Sequence, residues 1–341
     1  MNITKFFTPT QTLLLCLIII NLLSWCWAFI AFKDNTFLMG MAILAYSFGL
    51  RHAVDADHIV AIDNVTRKLM QQGQRPIAVG TFFSLGHSTI VVLASVVIAI
   101  TAMTYSASLE KFRETGGLIG TTVSTLFLLV FAFLNYTIFL SIYKKFRTIH
   151  IKGSFSQREV QENVNQGILS RLFRRLFTLI NKSQQMYWVG LLFGLGFDTA
   201  TEIGVLSISA ITATNGMNVW STLVFPVLFA SAMVLVDTLD NYLMTGVYGW
   251  AFSKPLKKLY YNMTITGISA FIAIFIGSVQ ALGLLGEKMN LSGWLWNGIA
   301  NLSDNLADMG FWIIGVFIVC WLCSVGYYWF MGYDKLPSTD S

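Results

Sequence analysis

Long apolar runs separated by short polar stretches repeat along the whole 341-residue chain. On a helix rising about 1.5 Å per residue, roughly 20 apolar residues cross the hydrocarbon core of a bilayer. Runs of that kind lie near 11–32, 36–64, 77–104, 117–143, 187–212, 219–252, 259–285 and 309–332. They predict an all-α polytopic membrane protein with eight transmembrane helices, in a single transmembrane domain over 1–341. The first run is too long for a cleavable signal and lacks a small-residue cleavage site.

Composition sharpens this picture. The chain is 55% hydrophobic and 11% charged, whereas soluble domains carry about a quarter charged residues. Lys5, Arg67, Lys68, Arg75, the basic residues of 144–186 and 253–258, and Lys335 fall on one side of the predicted spans; the other side holds only Lys33, Lys111, Arg113 and Lys288. Cytoplasmic loops carry the excess of such residues, so both termini are expected in the cytoplasm of a multi-pass protein of a cell membrane, the bacterial cytoplasmic membrane being the expected one. The net charge of +5 thus reflects membrane topology and gives no reason to invoke nucleic acid. The one sizeable loop, 144–186, is cytoplasmic on this count. Its second half spaces Ile168, Leu169, Leu172, Phe173, Leu176 and Phe177 against Arg171, Arg174 and Arg175 at helical intervals, as suits an amphipathic helix lying on an anionic leaflet of the bilayer. Cys16, Cys26, Cys320 and Cys323 lie in the first and last spans. With no second pair and no cationic neighbour beside the CxxC, they are expected to be apolar packing residues.

The polar positions inside the spans carry the chemistry. Residues 51–59 read RHAVDADHI, after an uncharged run from 36 to 50. An ionisable residue in a span costs a few kcal/mol or more and marks a path, a relay or a bound ion. On an ideal helix, at about 100° per residue, His52, Asp55 and His58 share an arc of roughly 120°, from which Asp57 points away. Two imidazoles and a carboxylate on one face form a metal-ligand set; the alternative is a salt-bridged patch in which Arg51 neutralises Asp55 or Asp57. Asp63, further along the same span, is either a helix-end group or part of an exit path.

The third span holds His87, Ser88 and Thr89 near mid-depth. A lone histidine in a helix is commonly a hydrogen-bonded structural residue. Of the four histidines in the chain, however, His52, His58 and His87 lie in spans and only His150 in a loop. That count favours a site role for His87, with Ser88 and Thr89 supporting its ring and Gly86 permitting close helix approach. In the fifth span Asp198 and Glu202 are four apart, flanked by Thr199 and Thr201. In the sixth, Met233, Asp237, Asp240, Asn241 and Met244 share a face. Six carboxylates (Asp55, Asp57, Asp198, Glu202, Asp237, Asp240) thus face one in-span base, Arg51. Such an excess calls for protons, a metal ion or both. Histidines beside oxygen donors favour a borderline transition metal over sodium, calcium or magnesium. The stretch FGLRHAVDADHI in span two is echoed by FGLGFDTATEI in span five, which hints at an inverted repeat.

Taken together, these stretches resemble the nickel/cobalt permease family, NiCoT, whose members share a histidine, four residues, then aspartate-histidine in the second span. Here those residues are His52, Asp57 and His58. The family's other signatures resemble GHSTIVV at 86–92, LGFDTATE at 195–202 and FASAMVLVDTLD at 229–240. One departure is Ala232, where the family usually has glycine. The resemblance implies high-affinity uptake of nickel, cobalt or both by a single-component secondary permease, with the divalent ion as substrate, the lipid bilayer as its other partner and no cofactor. It also promotes Asp57 to the metal set, either as a ligand on a broken helix or as a group holding an imidazole's free nitrogen. No GxxxxGK[ST] loop is present, so no ATPase function is evident in this chain. An intramembrane metalloenzyme is disfavoured because HExxH is missing. An exporter on the same scaffold would differ in direction alone, and the long loop lacks the histidine-rich tract that exporters often carry.

Overall fold

The computed structural model describes residues 8–101, 106–152, 180–196, 199–251 and 255–331. Among them every regular element is helical. Six helices are long and apolar enough to cross a membrane, and a bent pair makes a seventh span if counted as one. The chain is therefore a multi-pass membrane protein. The residues expected to form the amphipathic helix of the long loop, from Ile168 to Phe177, lie outside the described residues.

The helices are α1 (Pro9–Phe32), α2 (Thr36–His52), α3 (Ala56–Gln71), α4 (Val79–Thr101), α5 (Ser106–Lys152), α6 (Met186–Phe193), α7 (Ala200–Thr214), α8 (Val219–Thr222), α9 (Val224–Ala251), α10 (Pro255–Lys288), α11 (Trp294–Asp304) and α12 (Gly310–Phe330). Their starts follow local chemistry. Thr8 and Gln11 cap α1 reciprocally, with Pro9 at the first position, where its missing N–H costs nothing. Asn35 accepts the N–H of Leu38 at 3.1 Å to start α2, Thr199 accepts that of Glu202 at 3.4 Å for α7, and Asn218 accepts that of Ser221 at 2.8 Å for α8.

Several expected spans differ in detail. Span two is broken: α2 and α3 meet at a 51° bend. Span five is two pieces, α6 and α7. Both interruptions lie within the two stretches that echo each other in sequence. Span six begins with the single turn of α8, and Pro226 sits in the first turn of α9. The helix of span four runs on to Lys152, so the first residues of the expected loop are helical. Residues 294–304, expected to be a connection, form α11. Arg67 and Lys68, assigned above to a basic loop, lie in α3 and are buried. They are accommodated because each donates to a buried oxygen, Arg67 Nη1 to Thr266 Oγ1 at 2.7 Å and Lys68 Nζ to the Ile180 carbonyl at 2.8 Å. All four cysteines are free, and Cys16, Cys26 and Cys323 are exposed rather than packed.

The chain divides into two compact units. Unit 1 comprises Met1–Ile62, Pro76–Ser124 and Lys182–Tyr242; unit 2 comprises Asp63–Arg75, Thr125–Asn181 and Leu243–Ser341. In unit 1, α4 packs on α6 and α7, α2 on α7, and α1 on α2. Small residues make these approaches possible. A side chain at Gly86 would strike the Tyr187 carbonyl, one at Gly190 the Phe83 carbonyl, and one at Gly49 that of Phe229. The apolar core of unit 1 gathers Ala28, Phe32, Ala45, Val205, Phe225 and Phe229. In unit 2, α10 packs on α11 and α12, over a core of Ile142, Phe146, Tyr248, Tyr261, Ile265 and Tyr328. Large apolar side chains such as Ile30, Phe271 and Phe330 are exposed, as is usual where the solvent is lipid.

Candidate metal site

Inside unit 1 three helices bring their histidines together. His52 is the last residue of α2, His58 lies in the first turn of α3, and His87 lies within α4. On an unbroken helix the six-residue step from His52 to His58 would span about 9 Å of rise. The chain instead tightens. The N–H groups of Val54 and Asp55 donate to the carbonyls of Arg51 and His52, each at 3.0 Å, and α3 restarts when Ile59 N–H donates to the Asp55 carbonyl at 3.1 Å. Asp57 sits in the first turn of the new helix, where a carboxylate complements the helix dipole.

This break lets the rings converge. Ring centroids of His52 and His58 stand 4.7 Å apart, and each is 4.8 Å from that of His87. One nitrogen from each lies within 4.8 Å of the other two, and all three residues are buried. The Nε2 atoms of His52 and His87 are 2.9 Å apart. Glu202 Oε1 is 2.8 Å from His87 Nε2 and 3.8 Å from His52 Nε2. Thr199 Oγ1 donates to the other oxygen of Glu202 at 3.0 Å.

The surroundings of His52 decide which of its nitrogens can bind. Its Nδ1 faces oxygens: Asp55 Oδ2 at 2.8 Å, Thr201 Oγ1 at 3.1 Å and Thr199 Oγ1 at 3.4 Å. That environment holds the ring proton on Nδ1 and leaves the Nε2 lone pair turned to His87 and Glu202. His58 Nδ1 lies 3.6 Å from Asp237 Oδ2. Aromatic rings close the cluster, Phe83 edge-on to His58 at 4.8 Å and Phe229 at 5.4 Å from His52. Nitrogen and carboxylate oxygen atoms of buried residues thus converge, a donor set suited to a borderline divalent metal.

The other sequence-predicted residues are distributed around this cluster. Ser88 Oγ faces Met233 Sδ at 3.8 Å. Asp57 is half-buried; its Oδ1 accepts the N–H of His58 at 3.0 Å and its Oδ2 accepts from Ser124 at 3.2 Å. Thr89 bonds the Leu85 carbonyl and meets Tyr187 Oη at 3.1 Å. Asn241 accepts the N–H of Val79 at 3.1 Å, at the start of α4. Asp240 is half-buried and Arg51 exposed; Asp198 lies outside the described residues. Of the expected in-span carboxylates, Asp55, Glu202 and Asp237 are fully buried, and no lysine or arginine is buried among the described residues of unit 1. Ser84, Ser124, Phe83 and Phe229 were not singled out by sequence. Ser84 alone carried a signal, lying one helical turn before His87.

A family model described as NicO, high-affinity nickel-transport protein, matches residues 38–326. A high-affinity nickel transport protein of Cupriavidus necator is 50% identical over 319 residues, 93% of this chain and 91% of that protein. The high-affinity nickel-transport protein NixA of Helicobacter pylori is 39% identical over 317 residues, 91% of this chain and 94% of that one. The cobalt transport protein NhlF of Rhodococcus rhodochrous is 36% identical over 288 residues, 83% of this chain and 81% of that one. No solved structure matches the chain.

Proposed function

The chain belongs to the NicO family of high-affinity nickel-transport proteins, and from that premise we propose that it takes up nickel, cobalt or both across the cytoplasmic membrane, with His52, His58 and His87 holding the ion in transit. The observation that carries this reading is the set of three buried imidazoles with ligand atoms within 4.8 Å of one another.

A hydrated divalent ion entering unit 1 loses water and gains nitrogen and oxygen donors. The 2.9 Å contact between the Nε2 atoms of His52 and His87 is that of one shared proton; the ion takes its place when both lone pairs turn inward. Glu202 supplies the balancing negative charge between the same two rings. Asp55, Thr199 and Thr201 act through Nδ1 of His52, fixing its tautomer. Asp237 offers its charge to His58 from 3.6 Å without a hydrogen bond, and Met233 adds a soft donor beside Ser88. Asp57 fixes the start of α3 through the N–H of His58. Arg51, Thr89, Asp198, Asp240 and Asn241 belong to the path on either side of the site.

The broken spans two and five are discontinuous helices of the kind that build transporter sites at mid-membrane, and they support an inverted repeat within an eight-span permease with both termini cytoplasmic. The chain works as one permease domain without an ATPase subunit. The stretch 144–186 serves as its cytoplasmic loop, with an amphipathic helix resting on the lipid surface.

The test is accumulation of radioactive nickel and of cobalt at nanomolar concentration by cells with and without the chain, each challenged by the other metal and by zinc. Expression-dependent accumulation supports uptake, and the order of competition identifies the preferred ion. Loss of preloaded metal from expressing cells would reverse the direction. Equal accumulation in both cell types, with the protein present in the membrane, would overturn the reading.

A further inference from the structure

We propose that Ser84, which touches no imidazole, is a positioning residue for the metal site: it holds the Asp237 carboxylate against His58 and thereby sets the affinity for the ion. The inference rests on the uptake reading above and names a residue outside the ligand set.

Ser84 is completely buried in α4. Its hydroxyl lies 2.9 Å from the Gly80 carbonyl, one turn back, and makes a short contact with Asp237 Oδ2 on α9. That same oxygen stands 3.6 Å from His58 Nδ1. Oδ1 of Asp237 has no hydrogen-bond partner among the described residues. A carboxylate on a long helix can rotate about two side-chain bonds, and a single hydroxyl donor decides which oxygen faces the imidazole. With Oδ2 held by Ser84, Oδ1 stays open to a cation or its water.

The backbone around this contact is fixed. A side chain at Gly80 would collide with the Asp237 carbonyl, so α4 and α9 touch there without intervening atoms. The rungs on either side repeat the pairing. Thr81 Oγ1 and Thr238 Oγ1 are 2.8 Å apart, Asn241 accepts the N–H of Val79 at 3.1 Å, and Ser88 faces Met233 Sδ at 3.8 Å. Of these rungs, the one at Ser84 ends on a carboxylate that faces a histidine. The hydroxyl pair at Thr81 serves as its internal control, being buried in the same seam but without a charged partner.

The experiment measures initial rates of radioactive nickel uptake against nickel concentration for the full chain in cells, normalised to protein in the membrane, for wild type, Ser84→Ala, Ser84→Cys and Thr81→Ala. Loss of a hydrogen bond to a charged group predicts a half-saturating concentration raised about tenfold in Ser84→Ala, with a maximal rate per molecule near wild type. A smaller rise is expected in Ser84→Cys, whose thiol fills the same space and donates weakly, and none in Thr81→Ala. If Ser84→Ala is too poorly inserted to assay, Ser84→Cys decides alone. Purified protein titrated with nickel alone should lose affinity on Ser84→Ala when Asp237 is present and not when Asp237 is also alanine. An unchanged half-saturating concentration, or equal effects of Ser84→Ala and Thr81→Ala, would overturn the role of Ser84 while leaving uptake by the wild type intact. Failure of the wild type to accumulate nickel would instead remove the transport reading itself.

Discussion

Both units bury charge in an apolar bundle, and they do it with opposite chemistry. The interior of unit 1 holds Asp55, Glu202, Asp237 and three histidines, with no buried lysine or arginine among the described residues. The interior of unit 2 holds Asp63, Arg67 and Lys68. In unit 2 the charges are met from within. Tyr248 and Ser269 donate to the two oxygens of Asp63, Arg67 donates to Thr266 and Asn64, and Lys68 donates to the Ile180 carbonyl. Asp63 and Arg67 are one turn apart on α3. In unit 1, carboxylates face imidazoles, which match them only by holding a proton or a metal. The first arrangement meets its charges with hydroxyl, amide and carbonyl groups, and the second calls for a cation. Buried charge alone does not distinguish a binding site from a structural network; the sign of what surrounds it does.

That contrast can be broken in several places. The largest effect is expected from His52→Ala, which removes the ring that bridges Asp55, His87 and Glu202. Nickel uptake should fall to the level of cells without the chain, while immunoblots of the membrane fraction show normal amounts of protein. Wild-type uptake by that variant would remove unit 1 from the metal path.

Asp63→Asn tests the other side. It removes the charge that the Tyr248 and Ser269 hydroxyls hold, at a cost of about 1.5–3 kcal/mol. A lower thermal midpoint and less protein in the membrane are expected, with the half-saturating nickel concentration of the surviving protein unchanged. A loss of affinity without loss of stability would show that unit 2 also handles the ion.

Acid should separate the units more gently. Metal binding needs neutral imidazoles and ionised carboxylates, and protons compete for both. Taking the outside medium from about pH 7.5 to about 5.5 should raise the half-saturating nickel concentration progressively; an affinity that holds or improves in acid would contradict the histidine assignment. The smallest effect is expected from Thr266→Val, which deprives Arg67 Nη1 of its acceptor. A stability loss of about 1–2 kcal/mol with unaltered nickel kinetics should result, read by thermal unfolding and by uptake on the same preparation.

The contrast was half legible in the sequence. His52, His58 and His87 stood out because histidine is rare in this chain and ionisable residues are costly in apolar runs. Glu202, Met233 and Asp237 could be placed by helical spacing. What spacing could not supply was the turn at residues 53–55. A straight-helix projection sets His52 and His58 on one arc, whereas the bend brings the rings to 4.7 Å and delivers Asp55 to Nδ1 of His52. Arg67 and Lys68 were assigned to a basic loop because lysine and arginine usually end a span. Only the tertiary structure shows the oxygens that allow α3 to continue through them. Serines give little warning: Ser124 looks like an ordinary span residue and Ser84 offers only its place one turn before His87, until the carboxylates of Asp57 and Asp237 are seen to face them. Helix α11 went unrecognised because its run of 11 residues is too short to cross a bilayer.

The most direct test of the central claim is X-ray absorption at the nickel edge on the purified, nickel-loaded protein, wild type beside His58→Ala. The account predicts a shell of nitrogen and oxygen donors with the outer scattering of two to three imidazoles, one fewer in the variant. A shell of oxygen alone, or a wild-type spectrum unchanged by the substitution, would contradict it.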